Sequence, residues 1–69
     1  MSRIKLLGKN IKKYREQKKL SQEQLANAVD LSREYITRVE TGVKRISMKK
    51  LFAIVDVLGI KCSDLFDFD

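Results

Sequence analysis

The feature that most constrains this chain is a pair of short helical segments, predicted over residues 22–29 and 33–41. The first segment opens with the residue pattern of a capping box, a serine followed by a glutamine one turn later. The second follows Ser32, which is a good N-cap. Asp30 and Leu31 are all that remains between the two segments, so they can form only a tight turn. The chain therefore contains two short helices joined by a turn of a few residues.

Apolar residues at helical spacing predict three further helices, over residues 4–18, 48–58 and 62–66, and no strand. The chain has no Pro and three Gly, a composition that favours helices with short turns. Two of these glycines follow the third and fourth segments, where a helix commonly ends in a left-handed residue. With 69 residues, the sequence predicts one all-α domain over residues 1–69.

The composition argues against most catalytic and metal-binding chemistry. The chain has no His, which removes the commonest general base and the commonest metal ligand, and it has one cysteine, Cys62. We therefore expect no enzyme activity, no metal, no cofactor and no small-molecule substrate. No apolar stretch approaches the ~20 residues that span a bilayer, and the N-terminus has too short an apolar run for a signal peptide. We expect a cytoplasmic protein without membrane association, in which Cys62 is a reduced thiol.

The charge of the chain points to a polyanionic partner. Its net charge is +6, which attracts DNA, RNA or an anionic membrane surface. Residues 1–20 contain eight Lys and Arg against Glu16, so the positive charge is concentrated in the N-terminal part of the chain. Among the lysines of the first helix, we expect at most one or two, near Lys9 or Lys19, to touch phosphate.

The second helix of the pair has the two faces that a DNA-reading helix needs. Its apolar side brings Ile36 and Val39 together with Glu40 at helical spacing. The opposite side carries hydrogen-bonding side chains: Arg33, Glu34, Thr37 and Arg38. Arginine can bond guanine, glutamate can accept a hydrogen bond from cytosine, and the threonine methyl can touch that of thymine. An ordinary solvated face is the alternative, but the preceding helix, the tight turn and the basic surroundings favour a helix-turn-helix.

The residues of this motif resemble the Cro/C1-type (XRE-family) helix-turn-helix domain. The similarity rests on SQEQLA at residues 21–26 and LSREYITRVETG at residues 31–42, and it covers nearly the whole chain. It implies a compact five-helix, lambda-repressor-like bundle and a transcriptional regulator that binds operator DNA as a dimer. Small restriction–modification control proteins also resemble this chain in size and layout. Two positions depart from the family pattern: Asp30 stands where Gly is frequent, and Ile46 where Pro is usual.

The resemblance assigns roles to individual residues. It places base contacts on Arg33, Glu34, Thr37 and Arg38. It places contacts with the DNA backbone on Gln22, Ser32, Tyr35, Lys44 and Arg45. Arg15 and Glu40 match a pair that often forms a buried salt bridge between the first and third helices of this family. Arg15 is therefore expected to have a structural role rather than to contact phosphate.

Surplus apolar residues on the last two helices predict a surface for a partner. These residues are Phe52, Val57, Phe66 and Phe68. The leading hypothesis is a homodimeric repressor or autoregulator that binds double-stranded DNA at a palindromic operator through the third helix. A second hypothesis is an antitoxin or adaptor whose main partner is a protein. A third is a general polyanion or membrane-surface binder.

Overall fold

The computed structural model describes residues 2–68, and these form five α-helices joined by turns, with no strand among them. The helices are α1 (Arg3–Gln17), α2 (Gln22–Ala28), α3 (Arg33–Glu40), α4 (Met48–Leu58) and α5 (Cys62–Leu65). The prediction of an all-α fold with five helices is confirmed, and every predicted helix boundary lies within one residue of the observed one.

In the described part of the chain, no helix combines the length and the apolar character needed to cross a membrane.

Serine side chains begin the first four helices. The hydroxyls of Ser2, Ser21, Ser32 and Ser47 each accept a hydrogen bond from the backbone N–H one turn later, over 3.0–3.3 Å. At Ser21 the capping box is complete, because the Gln24 side chain accepts the Ser21 backbone N–H at 2.8 Å. The cap at Ser2 was not predicted, and it explains why α1 begins one residue earlier than expected. Each such cap stabilises its helix by about 1 kcal/mol.

Left-handed residues turn the chain at the ends of these helices. Asp30 has φ 56°, a left-handed conformation that Asp tolerates better than most residues. The Leu31 N–H donates to the Ala26 carbonyl at 2.9 Å, and this hydrogen bond closes the turn between α2 and α3. Gly42 has φ 79° and closes α3 in the same way. Lys19, with φ 60°, plays this part after α1, and nothing in the local sequence predicted it. These turns set the orientation of each helix relative to the helix before it.

The core lies between α3 and the helices around it. α3 packs against both α1 and α2, while α5 packs against α1. Ile36 and Val39 are buried on the inner face of α3 together with Glu40, which confirms the predicted inward face. The other buried apolar residues are Ile11, Leu25, Ala26, Val29, Leu51, Ile54, Val55, Leu58 and Leu65. This packing leaves the opposite side of α3 open.

A glycine allows the close approach of α1 and α3. Gly8 is buried in α1, and a Cβ atom built on it lies 2.4 Å from the Val39 carbonyl oxygen and 2.6 Å from that of Glu40. Both neighbouring atoms belong to the backbone of α3, so they cannot move aside as a flexible side chain can. No local pattern of residues predicted this contact, because it depends on how two separate helices pack.

We expect Gly8→Ala to destabilise the protein. Alanine in a helix normally stabilises by roughly 0.5–1 kcal/mol relative to glycine, but here overpacking of the contact with α3 should cost about 1–3 kcal/mol. Urea unfolding followed by circular dichroism measures the difference, and Gln17→Ala, on an exposed position of the same helix, is the control. A stability equal to or above that of the unmodified protein would contradict the close approach.

Candidate nucleic-acid interface

The outward side of α3 presents the four predicted base-contacting residues together. Arg33, Glu34 and Arg38 are exposed, and Thr37 is half-buried. The four side chains line an open cleft of about 520 Å³. The buried inner face fixes α3 on the core, so these side chains project from a rigid element. Their exposure and their mixture of donors and acceptors give this surface the chemistry needed to read base edges.

Two of these side chains pair with each other. Arg38 Nη2 donates to Glu34 Oε1 at 2.6 Å, one helical turn away. The side chains are 54% and 72% exposed, so the pair is worth only about 0.3–0.5 kcal/mol to the helix. Its effect is geometric, because it holds the Arg38 guanidinium along α3 while leaving other N–H groups of that side chain free to donate. The Arg33 side chain has no such partner within residues 2–68.

Gln22 connects the start of α2 to the outward side of α3, here named the reading face, which is formed by Arg33, Glu34, Thr37 and Arg38. Its Oε1 accepts a hydrogen bond from the Thr37 hydroxyl at 2.9 Å, and its Nε2 donates to Glu40 Oε1 at 3.0 Å. One N–H of the amide remains for a phosphate, which is the role predicted for Gln22. Its link to Thr37 was not predicted. The two residues are fifteen positions apart, and no local sequence signal couples them.

The buried pair predicted between α1 and α3 is present. Arg15 Nε donates to Glu40 Oε2 at 2.7 Å, and Arg15 Nη2 donates to Glu40 Oε1 at 3.1 Å. The side chains are 8% and 2% exposed, and Arg15 Nη1 also donates to the Leu20 carbonyl at 2.8 Å. The hydrogen bond with Glu40 raises the pKa of the Arg15 guanidinium despite its burial. The guanidinium is thus charged and occupied within the protein.

The predicted backbone-contacting residues lie on either side of α3. Ser32 caps the helix by accepting the Tyr35 N–H at 3.0 Å. The Tyr35 hydroxyl donates to the Arg45 carbonyl at 3.4 Å, and the Lys44 ammonium lies 4.9 Å from the centre of the Tyr35 ring. The Lys44 and Arg45 side chains are exposed. The loop after α3 is thereby held against the start of the helix, and Ile46, at the family's usual Pro position, packs on the core.

The predicted partner-binding residues are divided between two places. Phe52 is 49% exposed on α4, and Val57 of the same helix is half-buried. Phe66 is 45% exposed, and its ring centre lies 6.3 Å from that of half-buried Phe68. The two tail phenylalanines line a cleft of about 340 Å³ with residues near the start of α1, among them Ile4. Exposed aromatic rings of this kind are typical of protein–protein contacts.

A tight helix-turn-helix with a polar, exposed second helix and a basic surround defines the class of helix-turn-helix DNA-binding proteins. The chain matches the helix-turn-helix family model HTH_3 over residues 11–65. It therefore belongs to this family, and the predicted XRE-type (Cro/C1-type) membership is confirmed. The chain is a DNA-binding transcription regulator.

The relatives of this chain include control proteins of similar length. The chain is 41% identical over 68 residues to the control protein C.MunI of a Mycoplasma species, covering 96% of this chain and 92% of that protein. It is 38% identical over 64 residues to the control protein C.BamHI of Bacillus amyloliquefaciens, with 91% and 79% covered. The crystal structure of the restriction–modification controller protein C.AhdI from Aeromonas hydrophila has a TM-score of 0.83 at 33% identity, covering 87% of each chain.

We expect Arg15→Ala to cause a large loss of stability. Removing one partner of a buried ion pair leaves the other charge uncompensated, which costs about 3–5 kcal/mol. Urea unfolding checks this, with Arg38→Ala as the control, because that substitution breaks an exposed pair and should cost well under about 1 kcal/mol. Equal stability of the two variants would show that the buried pair is not needed for folding.

Proposed function

We propose that this chain is a sequence-specific regulator that binds double-stranded DNA as a homodimer, with α3 of each protomer in the major groove. The observation that carries the proposal is the outward side of α3, where four hydrogen-bonding side chains share one exposed cleft above a fully packed inner face. A helix presented in this way fits the major groove of B-DNA, which admits one α-helix.

The roles within the interface follow from the freedom of each side chain. Arg33 and Arg38 keep guanidinium N–H groups available for guanine O6 and N7, the commonest specific contact in the major groove. The single hydroxyl proton of Thr37 is directed at Gln22 Oε1, 2.9 Å away, with the Arg33 carbonyl as a second acceptor at 3.1 Å. Thr37 therefore offers DNA an acceptor oxygen and a methyl group. Glu34 retains a second carboxylate oxygen that can accept from cytosine N4.

The flanking residues are suited to hold the DNA backbone. Gln22 keeps one amide N–H free at the start of α2, and Ser32 and Tyr35 stand at the start of α3. Lys44 and Arg45 are exposed on the loop that follows α3. Contacts with phosphate fix the orientation of a recognition helix without reading sequence, and they supply much of the affinity.

Homodimer formation is supported by the apolar side chains of α4 and of the segment that follows α5. A chain of 69 residues has a small core, and covering Phe52, Val57, Phe66 and Phe68 with a second copy adds to it. A two-fold dimer sets its recognition helices about 34 Å apart, one turn of B-DNA, and so requires a palindromic operator. Because dimerisation and DNA binding are coupled, the concentration of the protein itself sets operator occupancy, as in a repressor or autoregulator.

The same exposed rings are the observation that favours a second candidate, an antitoxin or adaptor whose main partner is another protein. Phe52 and Phe66 are the aromatic anchors that such a partner would cover. The control-protein relatives favour the regulator over the adaptor. Both candidates place the chain, as one domain, in the cytoplasm.

Selection of bound duplexes from a random DNA library tests base reading by α3. We expect the unmodified protein to enrich a two-fold symmetric motif, and we expect Arg33→Ala/Arg38→Ala to lose or change that motif, because both guanidinium groups are removed. The circular dichroism of the variant shows whether it remains folded. If the unmodified protein enriches no motif, or if the folded double variant enriches the same one, α3 does not read bases in the proposed way.

Sedimentation equilibrium tests the proposed dimer surface. Phe52→Ser should weaken self-association at least about tenfold if Phe52 is an anchor of the interface, because truncating an anchor costs about 2 kcal/mol or more and about 1.4 kcal/mol corresponds to tenfold. Val43→Ser is the matched control, since Val43 is an exposed apolar residue, 76% accessible, outside the proposed surface. Equal self-association of the two variants would remove α4 from the interface, and a monomeric unmodified protein would favour the adaptor.

A further inference from the structure

A second basic surface adjoins the recognition motif. It is a cleft of about 260 Å³, here named the lysine cleft, between the middle of α1, the start of α2 and the C-terminal end of α3. Its lining residues are Lys9, Lys12, Lys13, Glu16, Gln22, Glu40 and Thr41. The three lysines occupy one side of α1, and all three are exposed. Lys18 and Lys19, at the end of the same helix, do not line this cleft.

The electrostatic character of the lysine cleft is positive. Glu40 is neutralised by its two hydrogen bonds with Arg15, so it adds little negative field to the cleft. Glu16 is the remaining carboxylate, and it faces three ammonium groups. Lys13 is partly engaged already, because its Nζ lies 5.1 Å from the centre of the Tyr14 ring. Lys9 and Lys12 are therefore the ammonium groups most available to an anion.

The position of the lysine cleft relates it to the reading face of α3. Gln22 lines the cleft and also binds the Thr37 hydroxyl at 2.9 Å, so one side chain borders both surfaces. Thr41 lies at the C-terminal end of α3 and lines the cleft as well. A duplex that receives α3 in its major groove has a phosphate backbone along each side of that groove. Because Gln22 borders the lysine cleft, a backbone that contacts Gln22 would pass beside α1.

We propose that the lysine cleft binds the DNA backbone beside each half-site, with Lys9 and Lys12 as its phosphate contacts and Lys13 in a weaker, flanking role. The inference rests on the proposed DNA binding, and it extends the interface from the helix-turn-helix to α1. The sequence alone pointed to Lys9 or Lys19. The structure keeps Lys9 and favours Lys12 over Lys19, because Lys9 and Lys12 line the cleft together with Gln22 and Thr41, whereas Lys19 does not.

The salt dependence of DNA binding tests the lysine cleft. Each phosphate contact contributes about −0.9 to the slope of log K against log salt concentration on duplex DNA. Lys9→Gln and Lys12→Gln should therefore each flatten that slope by about 0.9, and Lys13→Gln should flatten it by less. The enriched DNA motif should be unchanged in all three variants. Lys61→Gln, which removes one exposed lysine beside α5, is the charge-matched control and should leave the slope unaltered.

Removing a negative charge from the lysine cleft gives a complementary test. Glu16→Gln removes the carboxylate from the same cleft, so it should tighten DNA binding if phosphates lie there. Glu23→Gln, an exposed acid in the first turn of α2 that does not line the cleft, is its control. Hydroxyl-radical footprinting adds a direct readout, since Lys9→Gln/Lys12→Gln should lose protection of the flanking backbone and keep protection within the half-sites.

The outcomes separate this proposal from the proposed function. Slopes and footprints that are the same for Lys9→Gln, Lys12→Gln and Lys61→Gln would overturn the role of the lysine cleft while leaving base reading by α3 intact. If the unmodified protein enriches no sequence, the salt dependence of binding is measured on a duplex of arbitrary sequence. There, flattening by Lys9→Gln and Lys12→Gln alone still supports the cleft as a backbone-binding surface, and equal slopes overturn it.

Discussion

The buried ion pair between Arg15 and Glu40 joins the two helices on which the rest of the domain is built. Its two hydrogen bonds, of 2.7 and 3.1 Å, clamp α3 to α1, and a third bond from Arg15 ties in the turn before α2. Glu40 also accepts from Gln22, which in turn accepts from Thr37 on the reading face. A continuous hydrogen-bonded path thus runs from the core to the surface proposed to read DNA. A buried charge pair tolerates few geometries, so it favours one arrangement of α1, α2 and α3.

That arrangement depends equally on how the helices begin and end. Serine caps start α2 and α3, and the left-handed Asp30 turns the chain between them. These features are local, and each contributes about 1 kcal/mol or less to stability. Their larger effect is directional, because a short turn with fixed backbone angles leaves α3 little freedom relative to α2. The close contact at Gly8 then sets the distance between α1 and α3.

The charges of the molecule are arranged in two ways that matter for its function. Within the core, the single negative charge of Glu40 is matched by Arg15, so neither group attracts DNA. On the surface, exposed arginines lie on α3 and exposed lysines line the cleft beside it. Such separation lets one protein use charge both to hold its fold and to attract a polyanion. The Glu34–Arg38 pair is intermediate, since it is exposed and lies within the reading face itself.

The sequence by itself determined the helices, the caps of α2 and α3, the tight turn and the face of α3 that points outwards, because each follows from residues within one or two helical turns of one another. The resemblance to the Cro/C1-type domain supplied the pairing of Arg15 with Glu40, which spacing alone could not. Tertiary structure decided the rest. The contact at Gly8, the link from Gln22 to Thr37 and the grouping of Lys9 with Lys12 beside Thr41 all join separate helices. Such contacts depend on how the helices pack, and no local pattern of residues encodes them.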